Sequence, residues 1–350
     1  MNKVAFYVQY PYYFPHFLPI GKELEQQGYK VIYILSEKQN TQNMIEIAQK
    51  NTLTYEFGEE KLYSKDLSFI FFANNFLDAP KLSAKTLFMD HGVGTKHCDY
   101  ATALEIFDVV LVEGDYRYNS LVEKYTHHKE KVNKVGFSKL DFALNFQQRD
   151  EYIKKYNLDT AKQTILYAPT FFPSSIEKMS DSFPADFSEY NIIIKPHYLS
   201  LHRSRYKKQI KKFQKWSLYE NCSVCDESEY SLVPFLNLAD VMISDESSAI
   251  FEFTALDKPV ILNRFLKLRW SYYLNPKKLL NRLDKDIEIY RTIGDNAKNY
   301  KEMVVMVKEN LQNKDKYQKQ RISFTKDICG NVDGKVSQRI VKLLAKIDVQ

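Results

Sequence analysis

The stretch Asp240–Leu262, DVMISDESSAIFEFTALDKPVIL, decides the fold. An apolar run, Val241-Met242-Ile243, stops at Ser244-Asp245-Glu246-Ser247-Ser248. A helical pattern with Ile250, Phe251 and Phe253 follows, and the chain re-enters an apolar run at Pro259-Val260-Ile261-Leu262. This order predicts strand, polar turn, helix, strand. In open α/β sheets, ligands bind where strand ends meet helix starts. A helix start offers unpaired N–H groups and the positive end of a dipole, which suits phosphate. Ser247 and Ser248 add hydroxyl donors there. The competing reading is that Asp245 or Ser247 simply caps the helix.

Working outward, the same rhythm fills the chain. Strands are expected at Val4–Gln9, Lys30–Leu35, Ser68–Phe72, Thr86–Met89 and Asp108–Glu113, with helices at Leu18–Gln27 and Tyr116–Tyr125 among them. A polar helical stretch at Asp141–Ala161 interrupts the series, which restarts at Thr164–Ala168 and Asn191–Lys195. Beyond Leu283 the pattern is helical and charged. The expectation is an α/β protein of two Rossmann-like domains facing a cleft, residues 1–150 and 151–350. The last helix, about 334–346, is expected to pack back on the N-terminal domain.

Composition bounds the function. The 350 residues are 44% hydrophobic and 27% charged, an ordinary globular balance. No apolar run approaches the length of a membrane span. The N-terminus, MNKVAFYVQYPYYF, is too polar and aromatic for a secretory signal and looks like a first strand. Four cysteines give no disulfide framework, and the lone Cys222-x-x-Cys225 lacks a second pair for zinc. A cytoplasmic location fits. The net charge of +6 is mild but clustered. Residues 203–216 interleave lysines with Tyr206, Ile210, Phe213 and Trp216, and residues 264–282 mix cations with large aromatics. Each stretch reads either as a solvated face with its core stripe or as a surface for anionic lipid or a polyanionic acceptor. No nucleic-acid signature accompanies them.

Two histidines stand at strand ends. Asp90-His91-Gly92-Val93-Gly94-Thr95-Lys96 follows one strand, in a chain with only 10 glycines. An imidazole there is suited to base catalysis near neutral pH. Ile194-Lys195-Pro196-His197 repeats the arrangement in the second half. His16 follows the first strand and is a candidate to line the cleft. His97, His127, His128 and His202 lack this setting and read as surface residues. Asp284-Lys-Asp286 follows a basic stretch rather than a strand, so no metal cage is expected, and no cofactor either.

The ordered series DHGVGTK, VGFSKLD, ILYAPTF, IIKPH, DVMISDESSAIFEF and DGKVSQRI, over about residues 85–346, resembles the CDP-glycerol glycerophosphotransferase family of teichoic acid and capsule synthesis. Residues 1–40 look like the opening unit of the same glycosyltransferase-B fold. The resemblance implies a transferase that moves a polyol phosphate from a CDP-activated donor to a hydroxyl of a lipid-linked or oligosaccharide acceptor, releasing CMP. It places catalysis on His91 and His197. It places donor phosphate binding on the Ser244–Ser248 motif, with Asp245, Ser247 and Ser248, and puts Thr170 on the cleft wall; Lys195 is expected to help hold the transferred phosphate, and Glu252 or Asp226 to reach ribose hydroxyls. Gly92, Gly94, Thr95 and Lys96 fall on the acceptor side. It also implies peripheral contact with the inner face of an anionic membrane. Glu246 replaces the family's aromatic, Glu252 its Asp, HGVGTK stands for HGTPLK, and Pro196-His197 reverses the usual order. Donor and acceptor identity stay open on these departures, and a glycosyltransferase or nucleotide-sugar epimerase on the same fold is the alternative.

Overall fold

The structure, a computed structural model, describes residues 2–38, 41–93, 100–245, 247–269, 272 and 291–348. The chain forms two compact units. The first takes in Met1–Val93, His97–Asn145 and Lys326–Gln350, and the second Phe146–Thr325.

The first unit is built on seven parallel strands, β1 (Lys3–Val8), β2 (Lys30–Leu35), β3 (Tyr55–Phe57), β4 (Leu67–Phe72), β5 (Lys85–Met89), β6 (Val109–Val112) and β7 (Val132–Lys134). Their order is β3-β2-β1-β4-β5-β6-β7. Chain order reverses between β1 and β4, which opens a crevice at the carboxyl ends of those two strands. The inner strands are apolar on both faces, as a sheet covered by helices requires; Phe6, Phe71, Phe88 and Val110 are fully buried. The first helix, Phe14–Gln26, starts earlier than its apolar spacing suggests. Pro15 is tolerated in the opening turn, where the N–H would lack a partner anyway.

The second unit repeats the plan with β8 (Thr164–Ala168), β9 (Asn191–Ile194), β10 (Cys222–Val224), β11 (Val241–Ser244), β12 (Val260–Asn263) and β13 (Asp295–Ala297), all parallel. The order β10-β9-β8-β11-β12-β13 puts its reversal between β8 and β11. The 203–216 stretch turns its aromatics inward: Tyr206, Phe213 and Trp216 are buried, and the indole N–H donates to the Ser180 carbonyl at 3.1 Å. Lys212 and Lys215 pair with Asp181. The aromatics of this stretch form a core stripe, while Lys207, Lys208 and Lys211 stay exposed. Most of the 264–282 stretch, and Asp284-Lys-Asp286 with it, lies outside the described residues.

The units divide at Asn145/Phe146, ahead of the residue-150 division read from the sequence. Phe146 already packs on Tyr152, whose ring packs on Phe235 of the second unit. The return of the chain from Lys326 to the first unit has a chemical cause. The buried Asp141 carboxylate accepts from Val336 N (3.2 Å), Ser337 N (2.8 Å) and Ser337 Oγ (3.0 Å), capping the Val336–Asp348 helix. Arg339 Nε donates to the Val135 carbonyl at 2.6 Å beside Gly136, whose φ of 102° only glycine adopts freely. The VGFSKLD and DGKVSQRI segments are therefore two halves of one clasp. Asp141→Ala leaves three donors unmatched in a buried place. It is expected to lower the unfolding free energy by about 2–4 kcal/mol, read from urea midpoints.

Candidate active site

In the second unit the reversal point is organised by one carboxylate. Asp245, the first residue after β11, is fully buried. Its Oδ2 accepts from Thr170 N (3.1 Å) and Ser174 Oγ (2.9 Å), and its Oδ1 from Ser175 N (3.2 Å) and Ser175 Oγ (2.5 Å). Ser175 Oγ in turn accepts from Asn263 Nδ2 at 3.0 Å and meets the Tyr167 hydroxyl at 2.8 Å. These bonds fix the loop from Thr170 to Ser175 against the end of β11. Asp245 was expected to touch the donor. Its buried oxygens are taken by this loop instead, so it shapes the site from behind. Burial pushes its pKa up to about 7, while the surrounding donors pull it back.

Ser247 and Ser248 follow directly. Ser247 Oγ accepts from Ala249 N at 3.3 Å, and the exposed Ser248 precedes the Ala249–Thr254 helix. Both serines follow the carboxyl end of β11, and Thr170, whose N–H donates to Asp245, is half-buried. Glu246 lies outside the described residues. Glu252 is buried in the helix. Asp226 is exposed after β10, where it accepts from Ser228 N and Oγ, and these bonds hold its carboxyl below the usual range. Lys195 is half-buried; its charge acts on Cys225 and Asp226. The Cys222 and Cys225 thiols are each pushed up to about 12 by burial, which makes them inert core groups.

His197 caps the short Tyr198–His202 helix, and its Nδ1 accepts from Leu199 N at 3.1 Å. A backbone N–H can only donate, so Nδ1 carries the lone pair and the ring proton sits on Nε2. The Phe171 ring packs on this imidazole at 4.7 Å.

His91, in the first unit, has the opposite arrangement. Its Nδ1 lies 2.8 Å from the Ala73 carbonyl and 3.3 Å from Asp90 Oδ1. Both are acceptors, so Nδ1 carries a proton, and in the neutral ring the lone pair is then on Nε2. Ala73 follows β4, and the rings of Tyr12 (5.6 Å) and Tyr13 (5.1 Å) reach His91 from the turn after β1. His91 thus stands at the reversal crevice of its own sheet, with its side chain 36% exposed. His16, a candidate for lining the cleft, is buried instead. Its ring packs on Phe137 at 5.0 Å and bonds the main chain of His91. Burial, with Lys139 and His91 adding to it, holds its pKa well below the usual value, so it is neutral. Gly92 is half-buried beside His91; Gly94, Thr95 and Lys96 lie outside the described residues.

Sequence reading missed Tyr12, Tyr13, Ser174, Ser175 and the Ala73 carbonyl. The one available signal was the aromatic run after β1. Among the described residues, Glu105, His127 and His128 bring three ligating atoms within 4.8 Å of one another. They precede β6 and β7, at the sheet edge opposite His91.

Two doubly wound parallel sheets, each with its polar groups at the reversal point, define a protein of the glycosyltransferase-B kind. The description of the CDP-Glycerol:Poly(glycerophosphate) glycerophosphotransferase family matches residues 26–346, and the chain belongs to that family. It is 29% identical over 162 residues to the teichoic acid glycerol-phosphate primase of Bacillus spizizenii, covering 44% of this chain and 39% of that one. To the teichoic acid glycerol-phosphate transferase of Staphylococcus aureus it is 23% identical over 261 residues, covering 69% and 61%. The chain thus spans less than two thirds of the length of these relatives. The solved wall teichoic acid polymerase TagF superposes with a TM-score of 0.71 at 18% identity, covering 99% of this chain and 88% of that one.

Asp245→Asn should separate the loop's anchoring from the rest of the fold. An amide cannot accept on both sides, and a loss of about 2–4 kcal/mol is expected. Urea midpoints of wild type and variant at pH 8, above the Asp245 pKa of about 7, check it.

Proposed function

We propose that the protein transfers a glycerol phosphate, or a related polyol phosphate, from a CDP-activated donor to a hydroxyl of a lipid-linked or glycan acceptor in cell-surface polymer synthesis. Family membership supports this, as do the printed activities of the relatives and the TagF structure soaked with CDPG. The observation that carries it is the opposite setting of the two imidazoles: His91 Nδ1 faces the Ala73 carbonyl and His197 Nδ1 accepts from Leu199 N, which supports assigning Nε2 of His91 to accept and Nε2 of His197 to donate.

The acceptor hydroxyl attacks the donor phosphorus distal to cytidine, and its proton passes to His91 Nε2. The bond from that phosphorus to the bridging oxygen breaks, and CMP leaves. His197 Nε2–H donates to the phosphoryl oxygens as charge shifts onto the leaving phosphate. Ser247, Ser248 and the N–H groups at the start of the Ala249–Thr254 helix hold the donor phosphates, with Thr170 beside them. Lys195 supplies positive charge, and Glu252 or Asp226 serves the ribose side. Little covalent work falls to the protein, so positioning and charge stabilisation dominate. Gly92, Gly94, Thr95 and Lys96 are assigned to the acceptor side.

The lipid-linked acceptor brings the protein to a membrane surface. Among the described residues no helix is long and apolar enough to cross a membrane. Contact is therefore assigned to exposed cations, of which Lys207, Lys208 and Lys211 are candidates.

Incubation with CDP-glycerol, CDP-ribitol and nucleotide sugars, with product analysis, tests the reading. CMP from a CDP-polyol is the expected product; a nucleoside diphosphate from a sugar donor would replace it with glycosyl transfer. General-base help contributes about a hundred- to ten-thousand-fold, so His91→Ala should lower kcat by that order while calorimetry still shows CDP binding. Full turnover in this variant would remove the base assignment. Ser247→Ala combined with Ser248→Ala should weaken CDP binding by about tenfold or more. Unchanged affinity would move the phosphate site elsewhere.

A further inference from the structure

The turn after β1, Gln9-Tyr10-Pro11-Tyr12-Tyr13, stands at the reversal point of the first sheet. Pro11 opens a tight turn over Pro11–Tyr13 and throws the tyrosines on either side of it together. The rings of Tyr10 and Tyr12 lie nearly parallel, 5.1 Å apart with 10° between their planes. Tyr13 is buried and meets both edge-on, at 5.7 Å and 5.1 Å, so it props the pair. Tyr10 and Tyr12 themselves remain half-buried, within reach of solvent. Tyr12 also lies against the His91 ring.

We propose that Tyr10 and Tyr12 form a stacking platform for a pyranose ring of the acceptor, which sets a sugar hydroxyl before His91. The proposal rests on the transfer reaction given above and specifies its acceptor. A pyranose presents an apolar face of C–H bonds that lies flat on an aromatic ring. A polyol phosphate chain has no such face and carries a negative charge at each repeat. The turn Gln9–Tyr13 itself offers rings and no cation, so what it contributes to an acceptor is an apolar face rather than a charge. The position agrees with the chemistry, since the platform and the base share the crevice where doubly wound sheets take their ligands.

The test offers the wild-type protein two acceptors on the same short alkyl chain, a disaccharide and an oligo(glycerol phosphate), with CDP-glycerol as donor. The disaccharide is expected to be the better substrate. Tyr10 is the informative position because, of the pair, only Tyr12 touches His91. Tyr10→Ala should raise KM for the disaccharide by about tenfold, with the donor KM within about twofold, and Tyr10→Phe should restore the acceptor KM. Tyr12→Ala should add a fall in kcat, because it also loosens His91. An unchanged disaccharide KM in Tyr10→Ala, or a wild-type preference for the oligo(glycerol phosphate), overturns the proposal. If the wild type forms no CMP with either acceptor, the transfer reading itself falls. Saturation-transfer NMR on the free disaccharide then decides the platform: ring contact that disappears in Tyr10→Ala upholds it, and absence of contact in the wild type overturns it.

Discussion

A buried carboxylate with every oxygen engaged is the constraint on which the second unit's site depends. Asp245 sits where β11 ends, and its four bonds reach the loop that leaves β8. β8 and β11 are the strands between which chain order reverses, so the carboxylate ties together the two segments that border the crevice. Water would otherwise compete for Thr170 N and Ser175 N, which are loop donors with no ladder to join. Burial raises the cost of ionising Asp245, and four donors are the condition under which a carboxylate is kept there at all. The serines that follow inherit their position from it.

The first unit reaches the same kind of crevice by different means. Here the reversal lies between β1 and β4, and the histidine comes from the end of β5, one strand away. Its ring reaches back because the Ala73 carbonyl, just past β4, accepts its Nδ1–H. The neutral His16 supports the main chain at the same residue. Ser138 Oγ donates to the His16 carbonyl at 2.9 Å, so the VGFSKLD segment braces the strand end that carries His91 as well as capping the C-terminal helix. Two motifs with no chemistry of their own thus act on the site through packing.

The sequence disclosed what local pattern can carry. Buried strands such as Ile192–Ile194 and Val241–Ile243 are apolar runs with polar stops, and both histidines follow such runs. Four strands escaped it: β3, β7, β10 and β13. All are three residues long and all lie at sheet edges, where half-exposed residues blur the pattern. The run Gln9–Phe14 reads as more of the first strand because its residues are aromatic, yet Pro11 turns it into the wall beside His91. Ser174 and Ser175 were invisible for another reason. Their value comes from a partner some seventy residues away, and no spacing encodes that.

The reversed order Pro196-His197 shows how a departure from the family's wording can still place an imidazole at the strand end. Proline stops the strand and forces the chain away from β9 without needing an N–H. His197 then takes an extended conformation, with φ −65° and ψ 140°, at the position before a helix. That position requires an acceptor for the helix's open N–H groups, a task usually given to serine or aspartate. Imidazole fulfils it only through a lone pair on Nδ1, and the bond to Leu199 N therefore leaves the proton on Nε2. A requirement of backbone capping thus sets the tautomer, and the tautomer sets the ring to donate. His91, held by a carbonyl, is set by the same logic to accept. The opposite setting of the two rings follows from what each main chain offers its own imidazole.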